Sequence, residues 1–423
     1  MNEVLKMLPV RDSTGGQPGI YSVCSAHPLV IEAAMRQCQQ DGTPLLIEAT
    51  CNQVNQFGGY TGMQPSDFVQ FVHAIAARVD FDANRLIFGG DHLGPNPWRD
   101  LPAAEAMALA KDLLRAYAAA GFKKLHLDAS MPCAGDPSAL PDVTVAQRAA
   151  ALCQAAEEVA PGVAVYVVGT EVPVPGGATE ELSHIQVTSP AAARHTLDAH
   201  EAAFAALQLQ DAWSRVIALV VQPGVEFDHT RVFDYQPGQA SALSAFQKAQ
   251  QKFVFEAHST DYQRGDLLAR LVGDGFAILK VGPGLTFALR EALYMLELIE
   301  KELLPEADRS GLRAVVETDM MRVPKDWADY YHGDPAHQAQ MRVFSYSDRV
   351  RYYWGQPAIA SAVQRLLDNL AAIDIPENLV SQYMPGQYET YRLGATGLRA
   401  HDLLMERIRC AIRPYATACV RSQ

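Results

Sequence analysis

One recurrence constrains this chain more than any other feature. Before residue 305 it repeats the same unit eight times: a short apolar run, a polar tip, and often a stretch whose apolar residues fall at helical spacing. The runs cover residues 19–24, 45–49, 86–88, 124–128, 163–168, 216–221, 253–258 and 277–281. They are nearly continuous in apolar character rather than alternating, as expected of parallel strands covered on both faces. Pro28, Pro65 and Pro190 sit where a proline opens a helix, and Val30, Ile31, Ala34, Met35 and Cys38 mark the buried side of the first. Eight such βα units closing on themselves give an α/β fold, the TIM (β/α)8 barrel. A doubly wound open sheet is the competing arrangement, but no G-x-G-x-x-G follows the first run to support it.

The rhythm stops near residue 305. The expected organisation is a barrel over 15–304 and an α-helical C-terminal extension over 305–423 packed on it. Its aromatic stretch at 344–354 is expected to pack, with Ser, Asp and Arg side chains able to line the mouth of a site. With 423 residues, 49% of them hydrophobic, the chain can bury a large core. A net charge of −13 without any basic block argues against nucleic acid as a partner. Seven scattered cysteines without C-x-x-C spacing suit reduced, buried thiols rather than a disulfide framework. The first residues lack the apolar core of a signal peptide, and no apolar run reaches the roughly 18 residues a membrane helix needs. A cytoplasmic protein that does not enter membranes is expected, with an oligomer as its assembly.

In a TIM barrel the residues just past each strand converge on one cavity. Here those tips are rich in acids, amides and imidazoles: Ser25 and His27, Asn52 and Asn55, Asp91 and His92, Asp128, Glu171, Gln222 and Glu226, His258 and Asp261, and Lys280. Stability alone does not require such residues there. Two histidines with one or two carboxylates suit a divalent ion such as zinc or manganese. His92 and His258 are the expected ligands, with Glu226 or Glu171 as the third. Asp91 is the expected proton acceptor and Glu171 its counterpart. Ser25, Asn52, Asn55, Asp128, Gln222, Asp261, Lys280 and Gly282 are candidates for substrate binding. His126 is expected within its strand, in the core or behind the site, and His229 in a loop stays open as a candidate. The turn from Lys280 to Thr286, with Gly282 and Gly284, resembles an anion site at a helix start. A metal that grips a carbonyl and a neighbouring hydroxyl of a ketose would support aldol cleavage or epimerisation.

Several long motifs carry a further resemblance. SVCSAHP at 22–28, LIEAT at 46–50, NQVNQFGGYTGM at 52–63, GGDHLGPN at 89–96, GTEVPVPGG at 169–177, VQPGVEFDH at 221–229, EAHSTDYQ at 256–263 and YSDRVRYYW at 346–354 resemble the Z-type subunit of bacterial D-tagatose-1,6-bisphosphate aldolase, the GatZ/KbaZ-like family. The resemblance spans nearly the whole chain. It implies a TIM barrel in galactitol, N-acetylgalactosamine or tagatose catabolism, acting as a subunit that supports the activity and stability of a catalytic Y-type aldolase subunit. Related chains are also described as metal-dependent C4 epimerases of ketohexoses or their 6-phosphates, which makes a stand-alone tagatose/fructose epimerase the alternative. A tagatose-6-phosphate kinase label also occurs in the family, but this chain has no P-loop. Class II aldolases resemble it more distantly, through Asp91-His92, Glu171 and His258. Their histidine after strand six has no counterpart in the segment from Gln222 to Glu226.

Overall fold

The computed structural model describes residues 2–11, 16–170, 185–250 and 252–419. Eight parallel strands close into a barrel: β1 (Ile20–Val23), β2 (Leu45–Thr50), β3 (Leu86–Leu93), β4 (Lys124–Leu127), β5 (Val165–Val168), β6 (Val216–Val221), β7 (Val254–Ala257) and β8 (Ile278–Val281). Each strand pairs with the next in sequence, and β8 returns to β1 with Ile20 opposite Ile278 and Ser22 opposite Lys280. The apolar runs thus become the barrel staves, and the connections between neighbouring staves cross over on the outside. Between β6 and β7 the chain also makes a short antiparallel ribbon of Glu226–Phe227 and Val232–Phe233. A helix at Pro237–Gln250 and another at Gly265–Gly273 complete the sixth and seventh units.

Strand alternation sends two sets of side chains in opposite directions. Tyr21, Val23, Leu45, Ile47, Phe88, Leu125, Tyr166, Leu219, Phe255 and Leu279 face the helices in one large core. Ile20, Leu46, Ile87, Val165, Val167, Val220, Val254 and Ile278 form a separate cluster inside the barrel, joined by Leu5 and Leu8 from the amino-terminal segment. That segment, with its helix Asn2–Lys6, closes the end of the barrel where the strands begin. One step further along the strands the interior is charged: Glu48, Lys124 and Glu256 are fully buried, and Lys280 is nearly so. Both faces of the strands are covered, but the inner face is apolar only near its amino-terminal end.

β3 extends beyond its apolar run, through the glycine pair and Asp91-His92 to Leu93. A side chain at Gly89 would collide with Glu48, whose Oε1 lies 2.6 Å from the position a Cβ would take. A bare backbone there lets the buried Glu48 side chain cross the interior.

The helices after residue 305 include Leu312–Arg322, Pro335–Phe344, Pro357–Ala371 and the terminal Ala400–Cys419. The terminal helix packs against Pro28–Asp41, Gly265–Gly273 and Pro283–Leu303 and reaches β1. The Tyr415 hydroxyl donates to the Thr260 carbonyl at 2.5 Å, and its ring stands 6.3 Å from that of Tyr21. This last helix therefore joins the ring around the barrel. The stretch before it is anchored by the buried ion pair of Arg290 with Asp348 at 3.1 Å, and by the Tyr262 hydroxyl donating to the Tyr346 carbonyl at 2.6 Å. These ties hold Arg351, Tyr352 and Trp354 over the barrel mouth.

Candidate active site

A cavity of about 690 Å³ opens at the carboxyl ends of the strands, where this fold carries its chemistry. Its floor is built by an irregularity in β3. Between Gly90 and Leu93 the pairing with β4 shifts register, and His92 takes a left-handed backbone conformation with φ of 47°. Bulges of this kind re-aim side chains, and a non-glycine residue at positive φ persists only where its surroundings fix it. Here the surroundings are visible: the His92 amide donates to His126 Nδ1 at 3.1 Å, and His92 Nδ1 lies 2.8 Å from Asp128 Oδ2. Gly94 continues the device, since a Cβ there would fall 1.6 Å from the Asp128 carbonyl oxygen.

Three imidazoles meet as a result. The ring centres of His92 and His258 are 4.8 Å apart, those of His92 and His126 5.1 Å, and those of His126 and His258 5.2 Å. Asp91, His126, Glu256 and His258 each offer a donor atom, and these atoms all lie within 4.8 Å of one another. His126 Nδ1 is 3.1 Å from Asp91 Oδ1 as well as from the His92 amide. His126 Nε2 is buried with no hydrogen-bond partner among the described residues. A set of two imidazoles and two carboxylates fits a borderline divalent ion such as zinc or manganese. Glu256 Oε1 also bonds His258 Nε2 at 2.9 Å, the orienting contact that metal-ligating imidazoles usually have.

Beneath these groups runs a buried ionic network. Lys124 Nζ sits 2.6 Å from both Glu48 Oε1 and Glu256 Oε2. Lys280 Nζ lies 2.8 Å from Asp91 Oδ1 and also contacts Glu48. The protonation states follow from this crowding. Burial would raise the Asp91 carboxyl, but His92, His126 and His258 pull it well below the usual carboxylate range. Burial works against a charged His92, yet Asp91 and Asp128 carry it up to about 9. His258 is pushed down by burial in spite of Glu256. Burial opposes the ionised form of Glu256 too, but Lys124 and His258 bring it down to about 2.

The residues expected from the strand tips divide into groups. Ser25, Asn52, Asp91, His92, His258, Asp261, Lys280 and Gly282 all line the cavity. Asp128 instead holds His92 from behind, its other oxygen accepting from the Ser130 amide at 3.0 Å and hydroxyl at 2.6 Å. Asn55 shapes its own loop, donating to the Cys51 carbonyl and accepting from the amides of Phe57 and Gly59. Gln222 does the same for its turn through the amides of Gly224 and Val225. Glu226 accepts from the Phe227 amide at 2.9 Å, and burial pushes its carboxyl up to about 7; it is not in the donor group of Asp91, His126, Glu256 and His258. Glu171, with the loop that follows it, lies outside the described residues. His229 bonds Ser345 at 3.0 Å and is not among the cavity residues.

The turn after β8 differs from the expected anion site. Asp261 Oδ1 accepts from the amides of Gly282 at 2.9 Å and Gly284 at 2.7 Å. The free amides an anion would use are already taken by the protein's own carboxylate. Burial raises Asp261 to about 6, while the two amides and Arg351 pull the other way.

The structure adds Glu48, Lys124 and Glu256, which the strand tips do not include, and brings His126, expected in the core or behind the site, into the donor group itself. All four sit inside strands rather than beyond them. Their signal was available as a polar residue interrupting an apolar run, two positions before a tip in the case of Glu256 and His258.

The chain matches the family described as D-tagatose-1,6-bisphosphate aldolase subunit GatZ/KbaZ-like over residues 5–420. It belongs to the GatZ/KbaZ-like family. A solved structure described as a probable tagatose 6 phosphate kinase from Sinorhizobium meliloti 1021 is 51% identical to it, with a TM-score of 0.89, covering 95% of this chain and all of that one. Fructose-bisphosphate aldolase from Campylobacter jejuni matches at 13% identity and a TM-score of 0.46, over 89% of this chain and 94% of its own. Fructuronate-tagaturonate epimerase from Cohnella laeviribosi matches at 13% identity and a TM-score of 0.47, over 97% of this chain and 84% of its own. This GatZ/KbaZ-like chain is thus a TIM barrel with C-terminal helices from a family related to aldol chemistry on tagatose bisphosphate.

Proposed function

We propose that this chain is a divalent-metal-dependent enzyme that epimerises a ketohexose or ketohexose phosphate at C4, interconverting tagatose and fructose forms. The observation that carries the reading is the meeting of Asp91, His92, His126, Glu256 and His258 in one cluster, three of whose members, Asp91, His92 and His258, line the cavity. A subunit with a purely structural task has no physical need for three imidazoles and two ionised acids in contact.

In this reading Asp91, His126, Glu256 and His258 hold the ion, which is zinc or manganese. The ion supplies Lewis-acid polarisation of the ketose carbonyl. Ser25, Asn52, Gln53 and Thr61 line the cavity with the hydroxyl and amide groups that recognise a polyol. His92, held charged by Asp91 and Asp128, stabilises negative charge developing on a substrate oxygen and returns a proton to it. Asp91 is ionised and can accept a hydroxyl proton, and Glu171 is the candidate for the opposite transfer. Asp128 keeps the His92 ring in place. Aldol cleavage, rotation of the carbonyl fragment and rejoining invert C4 without loss of either fragment, so bonds balance over the cycle.

A second reading is favoured by the family's description as an aldolase subunit: the chain raises the activity of a separate Y-type catalytic chain acting on a ketose phosphate. One experiment separates the two. The purified chain, stripped of metal and reloaded with zinc or manganese, is incubated with tagatose, fructose and their 6-phosphates, alone and with a Y-type aldolase subunit. Interconversion by the chain alone, abolished by chelation, is the expected result. If no sugar reacts unless the second chain is present, the epimerase reading fails and the subunit reading stands.

A further inference from the structure

Among the described residues, three lysine or arginine side chains line the cavity: Arg78, Lys280 and Arg351. Two of them are neutralised, Arg78 by Glu32 at 3.0 Å and Lys280 by Asp91 at 2.8 Å. Arg351 pairs with no carboxylate among the described residues. Its guanidinium donates once to the Asp348 carbonyl at 2.6 Å and once to the Tyr352 hydroxyl at 3.1 Å, and it lies 4.6 Å over the Tyr352 ring. One hydrogen on each terminal nitrogen, and the one on Nε, have no partner among the described residues. A half-buried guanidinium set over an aromatic ring, with no carboxylate of the described residues in direct contact with it, is a preorganised fork for a phosphate or carboxylate.

The other natural place for an anion in this barrel is the glycine turn after β8, and it is filled. Asp261 takes the amides of both Gly282 and Gly284. An incoming anion would meet that carboxylate instead of free N–H groups.

We propose that Arg351, supplied by the C-terminal region, receives the anionic end of the substrate, a phosphate monoester or carboxylate on the terminal carbon of the sugar, and that Asp261 excludes this group from the turn after β8. The inference rests on the reading that the cavity takes a ketose, but it does not require the chain to turn that ketose over. It makes the C-terminal region part of the substrate site. It also orients the sugar, with its charged end at Tyr352 and its carbonyl end toward the imidazoles.

Calorimetric titration of the purified chain tests this without reference to turnover, using fructose 6-phosphate, fructuronate, free fructose and inorganic phosphate. One of the two sugar anions is expected to bind more tightly than free fructose, and which of them does identifies phosphate or carboxylate as the group recognised. Arg351→Gln should weaken that anion on the order of tenfold to a hundredfold, as loss of charge-assisted bonds does, and leave fructose unchanged. Arg351→Lys, which keeps the charge, should recover part of the loss. Asp261→Ala should acquire inorganic phosphate binding at the vacated amides, and this new binding should persist when Arg351→Gln is added. Equal affinity of the wild-type chain for charged and neutral sugars would overturn the proposal. So would an Arg351→Gln variant that keeps its anion affinity, or one that loses charged and neutral ligands alike without rescue by lysine. Absence of C4 epimerisation in the separate activity assay would remove the proposed reaction and leave these binding results intact.

Discussion

Replacing Asp128 by asparagine tests whether a carboxylate behind the site sets the charge of His92. The two groups are 2.8 Å apart and both buried, so their interaction is little screened. In the metal-free protein the His92 imidazole is carried from 6.5 up to about 9. At about 1.4 kcal/mol per pH unit this rise corresponds to about 3 kcal/mol of stability. Because the folded-state value lies above the unfolded one, that stability is fully present below about pH 6.5 and is lost as the pH rises through about 9. Asp91 and Asp128 share the effect against the opposing cost of burial, so the asparagine should remove about half of it, roughly 1–2 kcal/mol. Urea denaturation of the chelated protein between pH 6 and pH 10 reads this directly. The wild-type advantage should be greatest near pH 6 and shrink steadily toward alkaline pH. Parallel curves for the two proteins across this range would refute the reasoning.

Two further substitutions probe the interior. Lys124→Met removes the cation closest to Glu256 and leaves the two buried acids Glu48 and Glu256 with Lys280 alone between them, and should cost about 3–5 kcal/mol. A thermal melt should show the loss, and the added change Glu48→Gln should recover part of it by removing one of the two buried negative charges that Lys280 alone then balances. Gly94→Ala forces a methyl group against the Asp128 carbonyl and should cost at least about 2 kcal/mol. It should also lower any turnover disproportionately, because the strain falls on the residue that holds His92; a melt combined with the epimerase assay separates the two effects.

Much of the barrel was legible because burial on the helix side demands an unbroken outward apolar face. Val216–Val221 could be read residue by residue for that reason. The helices at Pro237–Gln250 and Gly265–Gly273 were harder to read, the first because alanine, serine and glutamine dominate its sequence and the second because it is short. The end of β3 was hidden too, since a glycine pair ordinarily stops a strand. Here it makes room for Glu48, and the strand runs on to a bulge.

The site was legible where a residue stands beyond its strand, as Asp91, His92 and His258 do relative to their apolar runs. It was obscured where a charged residue lies within one. Lys124 and His126 occupy alternate positions of β4 and therefore share the inner face, but a four-residue strand offers too few positions to distinguish an inner face from an outer one. Asn55, Gln222 and Asp128 carry the right chemistry for ligands and spend it on local turns or on His92, choices fixed by distances no sequence displays.

The central claim is that imidazoles and carboxylates from strands β3, β4 and β7 share one divalent ion. Metal analysis of the purified chain beside the double variant His126→Ala/His258→Ala, both checked for native fold by circular dichroism, tests it most directly. The account predicts about one zinc or manganese per wild-type chain and almost none in the variant. A folded variant that retains the full complement of metal, or a wild-type chain that takes up none when zinc and manganese are supplied, would contradict it.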